Sequence, residues 1–163
     1  MAEITVDLVK QLRDRTGVGL MQCKEALKEN DGDLDEAAEY LRVKGIAQAD
    51  EKAEREVTEG LVRGRISEDG SEAALVQLSC ETDFVARNDE FQELLDAVVD
   101  YTLESGGVDP EDLPEDLEKQ IKQKISVLGE NIQLENAAHF ELQGDAGQFT
   151  VYEHMGGRIG VLL

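Results

Sequence analysis

The sequence predicts an α+β fold, in which a three-helix bundle precedes an α/β core with antiparallel strands and two helices. Apolar residues recur at helical spacing through residues 4–41. Polarity then alternates on both sides of a turn over 60–78, which indicates a β-hairpin. Two further stretches with helical spacing, 89–104 and 114–128, are separated by glycine and proline.

The N-terminal helices are bounded by residues that favour helix ends. Thr5 can cap the first helix, and the Thr-Gly-Val-Gly sequence at 16–19 ends it and begins the second. Asp33 can cap the third helix, with Glu36 at the reciprocal position of a capping box, and Gly45 suits its C-terminal end. The apolar faces comprise Ile4, Leu8, Val9 and Leu12 in the first helix, Leu20, Cys23, Ala26 and Leu27 in the second, and Leu34, Ala37, Ala38 and Leu41 in the third.

Three short helices of this kind form a compact bundle similar to the ubiquitin-associated modules. Because so small a core leaves apolar residues at the surface, such a bundle is expected to dock on a partner. The alanine- and charge-rich segment after it predicts a linking helix. Strands are expected again after the last helix, at 132–134, 138–142, 149–152 and 158–163.

The composition is strongly acidic, and this limits the partners that the chain can bind. The sequence has 16 Lys and Arg against 37 Asp and Glu, a formal net charge of -21. Such a surface repels phosphate backbones, so direct binding of RNA or DNA is disfavoured. Either an ordinary solvated surface or adaptation to high internal salt explains the acids, and both explanations stay open.

Two further expectations concern membranes and chemistry. No apolar run reaches the roughly 18–20 residues that span a bilayer, and the first residues lack a basic segment followed by an apolar stretch, so we expect a soluble, unexported protein. His139 and His154 have no second metal ligand at helical spacing, and no phosphate-binding glycine motif occurs. Cys23 and Cys80 are expected to be buried thiols. We therefore expect no catalytic residue, no metal site and no cofactor.

The segment between the hairpin and the next helix is the most informative part of the chain. A strand-like run ending at Leu78 leads into a short loop with Asp83, Phe84 and Arg87, and Asn88 or the residue after it can cap the following helix. Loops at strand ends are exposed, so Phe84 is either folded back into the core or held out for a partner. Spacing alone favours the core, since apolar side chains are mostly buried, but does not decide between the two.

Three motifs occur in order along the chain. Cys-Glu-Thr-Asp-Phe-Val-Ala-Arg-Asn stands at 80–88, and Leu-Arg-Asp-Arg-Thr-Gly-Val-Gly-Leu-Met-Gln-Cys-Lys-Glu-Ala-Leu at 12–27. Leu-Gly-Glu-Asn-Ile at 128–132 is followed by His-Met-Gly-Gly-Arg-Ile-Gly-Val-Leu at 154–162. Together they resemble the signatures of elongation factor Ts, the bacterial and organellar guanine-nucleotide exchange factor for elongation factor Tu.

The resemblance implies a regulatory binding protein, not an enzyme, that promotes GDP release from elongation factor Tu. It would bind the GDP-bound and the nucleotide-free GTPase in a reducing cytoplasm, and would destabilise the magnesium- and phosphate-binding region. Phe84 would be a wedge between helices of the GTPase near its magnesium site, and Asp83 would contact the same region. The alternative is a ubiquitin-associated-like adaptor that binds a partner protein without promoting exchange. The oligomeric state stays open.

The resemblance also assigns other residues to the contact with the GTPase. These are Thr82 and Val85 beside the wedge, Leu128 and Gly129 in the core pressing on a neighbouring helix, His154, Gly156, Gly157 and Arg158 facing its third domain, and Arg13, Thr16, Gly17, Met21 and Lys24 docking on its nucleotide domain. For Thr16 and Gly17 a structural turn is an equal alternative. For Met21 the equal alternative is core packing.

Longer members of the family carry two core repeats, and the strands at 74–78 and 157–162 resemble the first strands of the two. The resemblance implies that the second repeat is incomplete here. We expect a truncated sequence rather than a lineage without that repeat, because a free apolar strand end invites aggregation. The predicted units are a ubiquitin-associated-like module at 1–45, a linking helix at 46–57, a first core subdomain at 58–142 and the start of a second at 143–163.

Overall fold

Helices form the N-terminal third of the molecule, and strands mixed with helices form the rest. The computed structural model describes residues 4–144 and 147–163. The elements are α1 (Val6–Thr16), α2 (Leu20–Glu29), α3 (Leu34–Lys52), β1 (Glu59–Ile66), β2 (Glu72–Cys80), α4 (Asp83–Ala86), α5 (Asp89–Ser105), α6 (Glu115–Leu128), β3 (Ile132–Glu141), β4 (Val151–His154) and β5 (Ile159–Leu162). The predicted α+β class is confirmed.

The predicted units 1–45 and 143–163 include residues 1–3 and 145–146, which lie outside the described residues. The division of the chain at these boundaries stays a prediction. In the part of the chain that the structure describes, every helix is too short or too polar to cross a membrane.

Side chains cap two of the N-terminal helices as predicted. The Thr5 hydroxyl accepts a hydrogen bond from the backbone nitrogen of Leu8 at 3.3 Å. The Asp33 carboxylate accepts one from the backbone nitrogen of Glu36 at 2.9 Å. The expected capping box is only half formed, because the Asp33 N–H donates to the carbonyl of Asn30 at 2.8 Å rather than to Glu36.

The bundle core is small and made mainly of the predicted residues. Its completely buried members are Leu12, Cys23, Ala26, Leu27 and Ala37. Leu20, predicted to lie in this core, is 45% exposed, because it is the first residue of α2 and lies beyond the edge of the buried face. A bundle of this size cannot cover every apolar residue of its helices.

The third helix is longer than the sequence predicts. It runs unbroken for 19 residues from Leu34 to Lys52. The expected end at Gly45 is therefore wrong. Gly45 is buried in the helix interior, where it faces Ser126 of α6. Its small size serves close helix packing instead of a C-terminal cap.

The first three strands form an antiparallel sheet in the order β1-β2-β3. The two strands predicted after α6 at 132–134 and 138–142 are one strand, β3. Its register against β2 shifts between the pairs Leu78–Leu134 and Gln77–Asn136, which leaves Glu135 unpaired as a bulge. This extra residue interrupts the alternation of polarity, which explains why the sequence suggested two strands.

Two helices cover one face of this sheet. The main core joins Val76 and Leu78 of β2 to Phe91 and Leu95 of α5 and to Ile121 of α6. Burying a side chain of this size stabilises the fold by about 1.5–3 kcal/mol. The β1–β2–β3 sheet with α5 and α6 is thus the scaffold on which the exposed segments are mounted.

The β4–β5 hairpin packs on the opposite face of β1. The backbone nitrogen of Val62 donates to the carbonyl of Gly157 at 2.6 Å. Gly64 faces Val151, and Gly160 faces Val62, so closely that a Cβ on either glycine would lie 2.5 Å from the valine side chain. Glycine is therefore required at both positions for the hairpin to approach the strand.

Candidate partner-binding surface

The segment after β2 is a single helical turn, α4, rather than the loop expected from the sequence. Thr82 caps it, and its hydroxyl accepts a hydrogen bond from the backbone nitrogen of Val85 at 3.4 Å. Residues 82–87, which comprise this cap, the turn and Arg87, are called the knuckle below. Because α4 is only four residues long, its conformation depends on contacts outside it.

Phe84 points into solvent from the knuckle. It is 82% exposed, more than any other large apolar side chain in residues 4–144 and 147–163. The core interpretation of Phe84 is therefore wrong. Its neighbours take the inward positions instead, with Ala86 buried and Val85 packed against the main core. A side chain this apolar and this exposed is typical of a contact with a partner.

Asp83 and Arg87 form an ion pair beside Phe84. Their side chains are 2.8 Å apart, one helical turn from each other, and 34% and 72% exposed. A pair this exposed contributes less than about 1 kcal/mol to folding. Both charges therefore stay accessible to a partner at the edge of the apolar side chain.

Glu130 holds the knuckle from outside. One of its carboxylate oxygens accepts a hydrogen bond from the backbone nitrogen of Thr82 at 3.0 Å, and the other accepts one from the Thr82 hydroxyl at 2.7 Å. Hydrogen bonds to a charged acceptor contribute about 1.5–3 kcal/mol each when protected from water. The two bonds fix the start of α4 and thus the direction of Phe84.

Asn131 anchors the same region one residue further on. Its backbone nitrogen donates to the Glu81 carboxylate at 2.7 Å. Its side-chain nitrogen donates to the carbonyls of Ala53 and Arg55 at 3.3 and 2.8 Å. Asn131 is 1% exposed, so these bonds are shielded from water. The motifs at 80–88 and 128–132, which are about 50 residues apart in sequence, are thus parts of one structure.

Leu128 and Gly129 position this anchor. Leu128 packs against the main core at the end of α6. Gly129 caps the helix with φ +81°, and its N–H donates to the carbonyl of Ile125 at 2.9 Å. A left-handed conformation of this kind favours glycine, and it turns the chain toward Glu130.

Cys80 lies directly under the knuckle. Both cysteines are buried and free, as predicted. The Cys80 thiol donates to the carbonyl of Thr82 at 3.2 Å. Burial, and then the nearby charge of Glu130, raise the pKa of Cys80 from 9.0 to about 12. The neutral thiol serves as a small packing group with one hydrogen bond to the cap.

The β4–β5 turn carries the exposed end of the C-terminal motif. Met155 and Gly156 have φ of 54° and 69°, and Met155 is 66% exposed. His154 is exposed as well, and its Nδ1 lies 2.9 Å from the Tyr152 hydroxyl. Arg158 pairs with Glu59 at 3.1 Å.

The fold brings the knuckle and this turn together. A depression of about 300 Å³ lies between them. Its lining includes Asp83, Ala86, Arg87, Met155, Gly156 and Arg158. Residues that are about 70 positions apart in sequence therefore share one concave surface, which is lined by Asp83 and Arg87, the neighbours of Phe84, and by exposed Met155. Of the predicted C-terminal group, Gly157 is buried against β1 and holds the turn in place.

The predicted residues of the bundle do not line that depression. Met21 is 69% exposed, so the core alternative is wrong, and Arg13 and Lys24 are exposed too. Thr16 and Gly17 have structural roles. The Thr16 hydroxyl donates to the carbonyl of Leu12 at 2.8 Å, and Gly17, with φ +70°, caps α1.

Three residues that the sequence did not point to, Glu81, Glu130 and Asn131, anchor the knuckle without being exposed themselves. All three stand inside the recognised motifs, next to residues that were selected. Their positions inside the motifs give no sign of how far they are shielded from water, and only the fold shows them as hydrogen-bonded anchors. Among the described residues, no group of three or more His, Cys, Asp or Glu side chains is placed to hold a metal ion.

Comparison with known proteins identifies the family of the chain. A family model described as Elongation factor TS matches residues 81–163, which include the knuckle, its anchor and the β4–β5 turn. The chain is 42% identical over 170 residues to an Elongation factor Ts from Nostoc sp. (strain PCC 7120 / SAG 25.82 / UTEX 2576). The match covers 100% of this chain and 54% of that relative, so the chain spans about half its length. The chain belongs to the elongation factor Ts family.

Proposed function

We propose that this chain acts in translation elongation by promoting the release of GDP from elongation factor Tu. The observation that carries the proposal is Phe84, which is 82% exposed on a segment fixed by hydrogen bonds. The proposal gives the chain no covalent chemistry and assigns it to the cytoplasm, where its partner acts. It binds the GTPase both with GDP and without nucleotide.

Exchange requires only a difference in affinity. A factor that binds the nucleotide-free GTPase more tightly than the GDP-bound form must weaken GDP binding by the same ratio. The nucleotide depends on Mg²⁺ and on backbone donors of the phosphate-binding loop. An apolar side chain inserted behind those groups shifts the helices that carry them and destabilises both ligands together.

Phe84 has the properties that such a wedge needs. Moving a phenylalanine side chain from water into an apolar slot releases about 1.5–3 kcal/mol, which corresponds to roughly a tenfold to a hundredfold change in affinity. The Glu130 anchor fixes Thr82 before the partner arrives, so little conformational entropy is lost on binding. In this proposal Asp83, beside the wedge, contacts the same region of the GTPase, next to the magnesium site.

The other predicted residues supply the remaining contacts in this proposal. His154, Gly156 and Arg158 in the β4–β5 turn face the third domain of the GTPase. Arg13, Met21 and Lys24 of the bundle dock on its nucleotide domain. Their exposure supports these assignments. The remaining predicted residues act by holding the exposed ones in position; they are Thr82, Val85, Leu128, Gly129, Thr16, Gly17 and Gly157.

One experiment separates exchange from simple binding. Elongation factor Tu is loaded with a fluorescent GDP analogue, excess GDP is added, and the release rate is followed as the chain is titrated in. An exchange factor accelerates release to a plateau, whereas the non-exchanging adaptor alternative binds without changing the rate. Binding is measured in parallel with a labelled chain. Binding with an unchanged release rate would contradict the proposal and support the adaptor.

A further inference from the structure

The bundle and the main core are joined by a continuous helix. Leu41 of α3 belongs to the buried cluster of the bundle, and Ala49 of the same helix belongs to the main core. The two residues are about 12 Å apart along the axis, at 1.5 Å per residue. Since α3 has no break between them, the bundle is mounted on a stiff helix and not on a flexible loop.

Gly45 lies between these two residues, where α3 meets α6. A Cβ built on Gly45 would lie 2.6 Å from the Oγ of Ser126 and 2.8 Å from its Cβ. The Oγ atom can turn away by rotation of the side chain, but the Cβ is fixed by the backbone of α6. Any residue larger than glycine at position 45 must therefore move one helix relative to the other.

Contacts on both sides of Gly45 show that α3 and α6 form a junction between the bundle and the main core. Val127, the next residue of α6, packs against the bundle core. It also lies next to Gly17, where a Cβ would be in ordinary van der Waals contact with the Val127 side chain at 3.4 Å. On the core side, Lys122 of α6 pairs with Asp50 of α3 at 2.7 Å. Contacts on both sides of Gly45 thus depend on the distance between the two helices.

Glycine weakens the interior of a helix relative to alanine, so a buried glycine there needs a packing reason. The bundle and the knuckle lie on either side of the junction and carry separate exposed groups. When two contacts on one rigid body meet one partner, the first raises the effective concentration of the second, provided that their separation fits. The angle of α3 against α6 sets that separation.

We propose that Gly45 is a positioning residue: its contact with Ser126 fixes the angle of α3 and so holds the bundle at the separation from Phe84 that a single partner must match. This inference rests on the proposed function for its effect on the partner. The geometric part, which concerns the angle alone, is measured without any partner.

The test compares Gly45→Ala, Ser126→Gly and the double variant with the parent chain. Spin labels on Lys28→Cys in α2 and Glu104→Cys in α5, two exposed positions, report the distance between bundle and core, while the native thiols are buried. Gly45→Ala is expected to shift the distance distribution, and Ser126→Gly in the same chain to restore it. Ser126→Gly alone controls for the weakened α6.

The same variants are titrated in the GDP-release assay. Gly45→Ala is expected to raise the half-saturating concentration about tenfold while the plateau rate stays unchanged, and the double variant is expected to recover most of the loss. If Gly45 had only a structural role, Gly45→Ala would lower the melting temperature without raising the half-saturating concentration at an unchanged plateau rate. Rescue by the second substitution separates a steric contact from general instability.

Two results overturn the inference. An unchanged distance distribution in Gly45→Ala, especially with the higher melting temperature that alanine normally brings to a helix, shows that the contact does not set the angle. A shifted distribution with an unchanged half-saturating concentration shows that the angle does not matter for the partner. If the parent chain itself fails to accelerate GDP release, the proposed function falls, and the distance measurement still decides the geometric part.

Discussion

The knuckle and the start of α2 both expose a large apolar side chain, but they support it very differently. Phe84 stands on a turn whose first residue is held by two hydrogen bonds from Thr82 to Glu130. Met21 stands in the first turn of α2, where the capping residue Gly19 offers no side-chain bond. The aromatic ring is rigid and rigidly mounted, while the methionine is flexible on a less constrained helix end.

This difference fits two functions at an interface, which are displacing helices of the partner and docking on it. A side chain that must displace helices in a partner has to keep its own position during binding. This requires that its conformation is fixed before the partner binds. A side chain that only docks can adapt its shape, which methionine does well. We therefore expect changes at the knuckle to alter the rate of GDP release, and changes at the bundle to alter the affinity for the GTPase.

The largest expected effect contrasts two phenylalanines. Phe91 is completely buried, and Phe91→Ala should destabilise the free chain by about 3–5 kcal/mol. Phe84→Ala should change the free energy of unfolding by less than about 0.5 kcal/mol, as for a surface residue. Urea denaturation of both variants measures this. A large loss of stability in Phe84→Ala would mean that the ring is buried in solution.

The next largest effect is expected when the anchor of the knuckle is removed. Glu130→Ala leaves the N–H and hydroxyl of Thr82 without their acceptor, and we expect a loss of about 1–3 kcal/mol in folding stability. The plateau rate of GDP release should fall as well, because Phe84 is then less rigidly held. Glu135→Ala, at the exposed bulge of β3, is the matched control. Equal plateau rates for the two variants would contradict the role of the anchor.

A smaller effect is expected in the bundle. Met21→Ala should raise the half-saturating concentration in the release assay several-fold, corresponding to about 1 kcal/mol, and leave the plateau rate unchanged. Val43→Ala, an exposed apolar residue on α3, serves as the control. A lower plateau rate in Met21→Ala would remove the distinction between docking and wedge. A point substitution is preferable to deleting residues 1–45, since that deletion would cut α3 in its interior.

The last effect is absent at neutral pH: it is a pH dependence of stability from the Cys80 thiol beneath the knuckle, and it begins only above about pH 9. Because the pKa of Cys80 is raised from 9.0 to about 12 in the folded state, the neutral thiol is favoured by folding. The stability that the neutral Cys80 thiol contributes to the fold is fully present below pH 9 and is lost as the pH rises from 9 to about 12. The difference in unfolding free energy between the parent and Cys80→Ala should therefore shrink over that range. A difference that is independent of pH would show that the thiol is solvated.

The sequence predicted the elements well wherever local signals dominate. Thr5, Asp33 and Asn88 cap helices as expected, since a capping bond involves residues only two or three positions apart. The helix ends at Gly106 and Gly129 also follow from one local conformation.

The errors came from contacts between distant segments. Gly45 has the local signature of a helix end, but Ser126, 81 positions later, gives it a packing role. The bulge at Glu135 depends on its pairing with β2. The anchor between Thr82 and Glu130 spans 48 positions. Resemblance identified Phe84 together with Thr82 and Gly129, which help to hold it. The anchoring side chains of Glu81, Glu130 and Asn131 were recognised only from the fold.

The central claim is that an exposed, anchored Phe84 drives GDP release, and one measurement tests it most directly. Phe84→Ala and Phe140→Ala are titrated against elongation factor Tu loaded with a fluorescent GDP analogue. Phe140, on β3 at the far end of the sheet, is 48% exposed and controls for the loss of a surface aromatic. We predict a plateau rate of GDP release that is reduced by about tenfold or more for Phe84→Ala and unchanged for Phe140→Ala. Equal plateau rates for Phe84→Ala and the parent chain would contradict it.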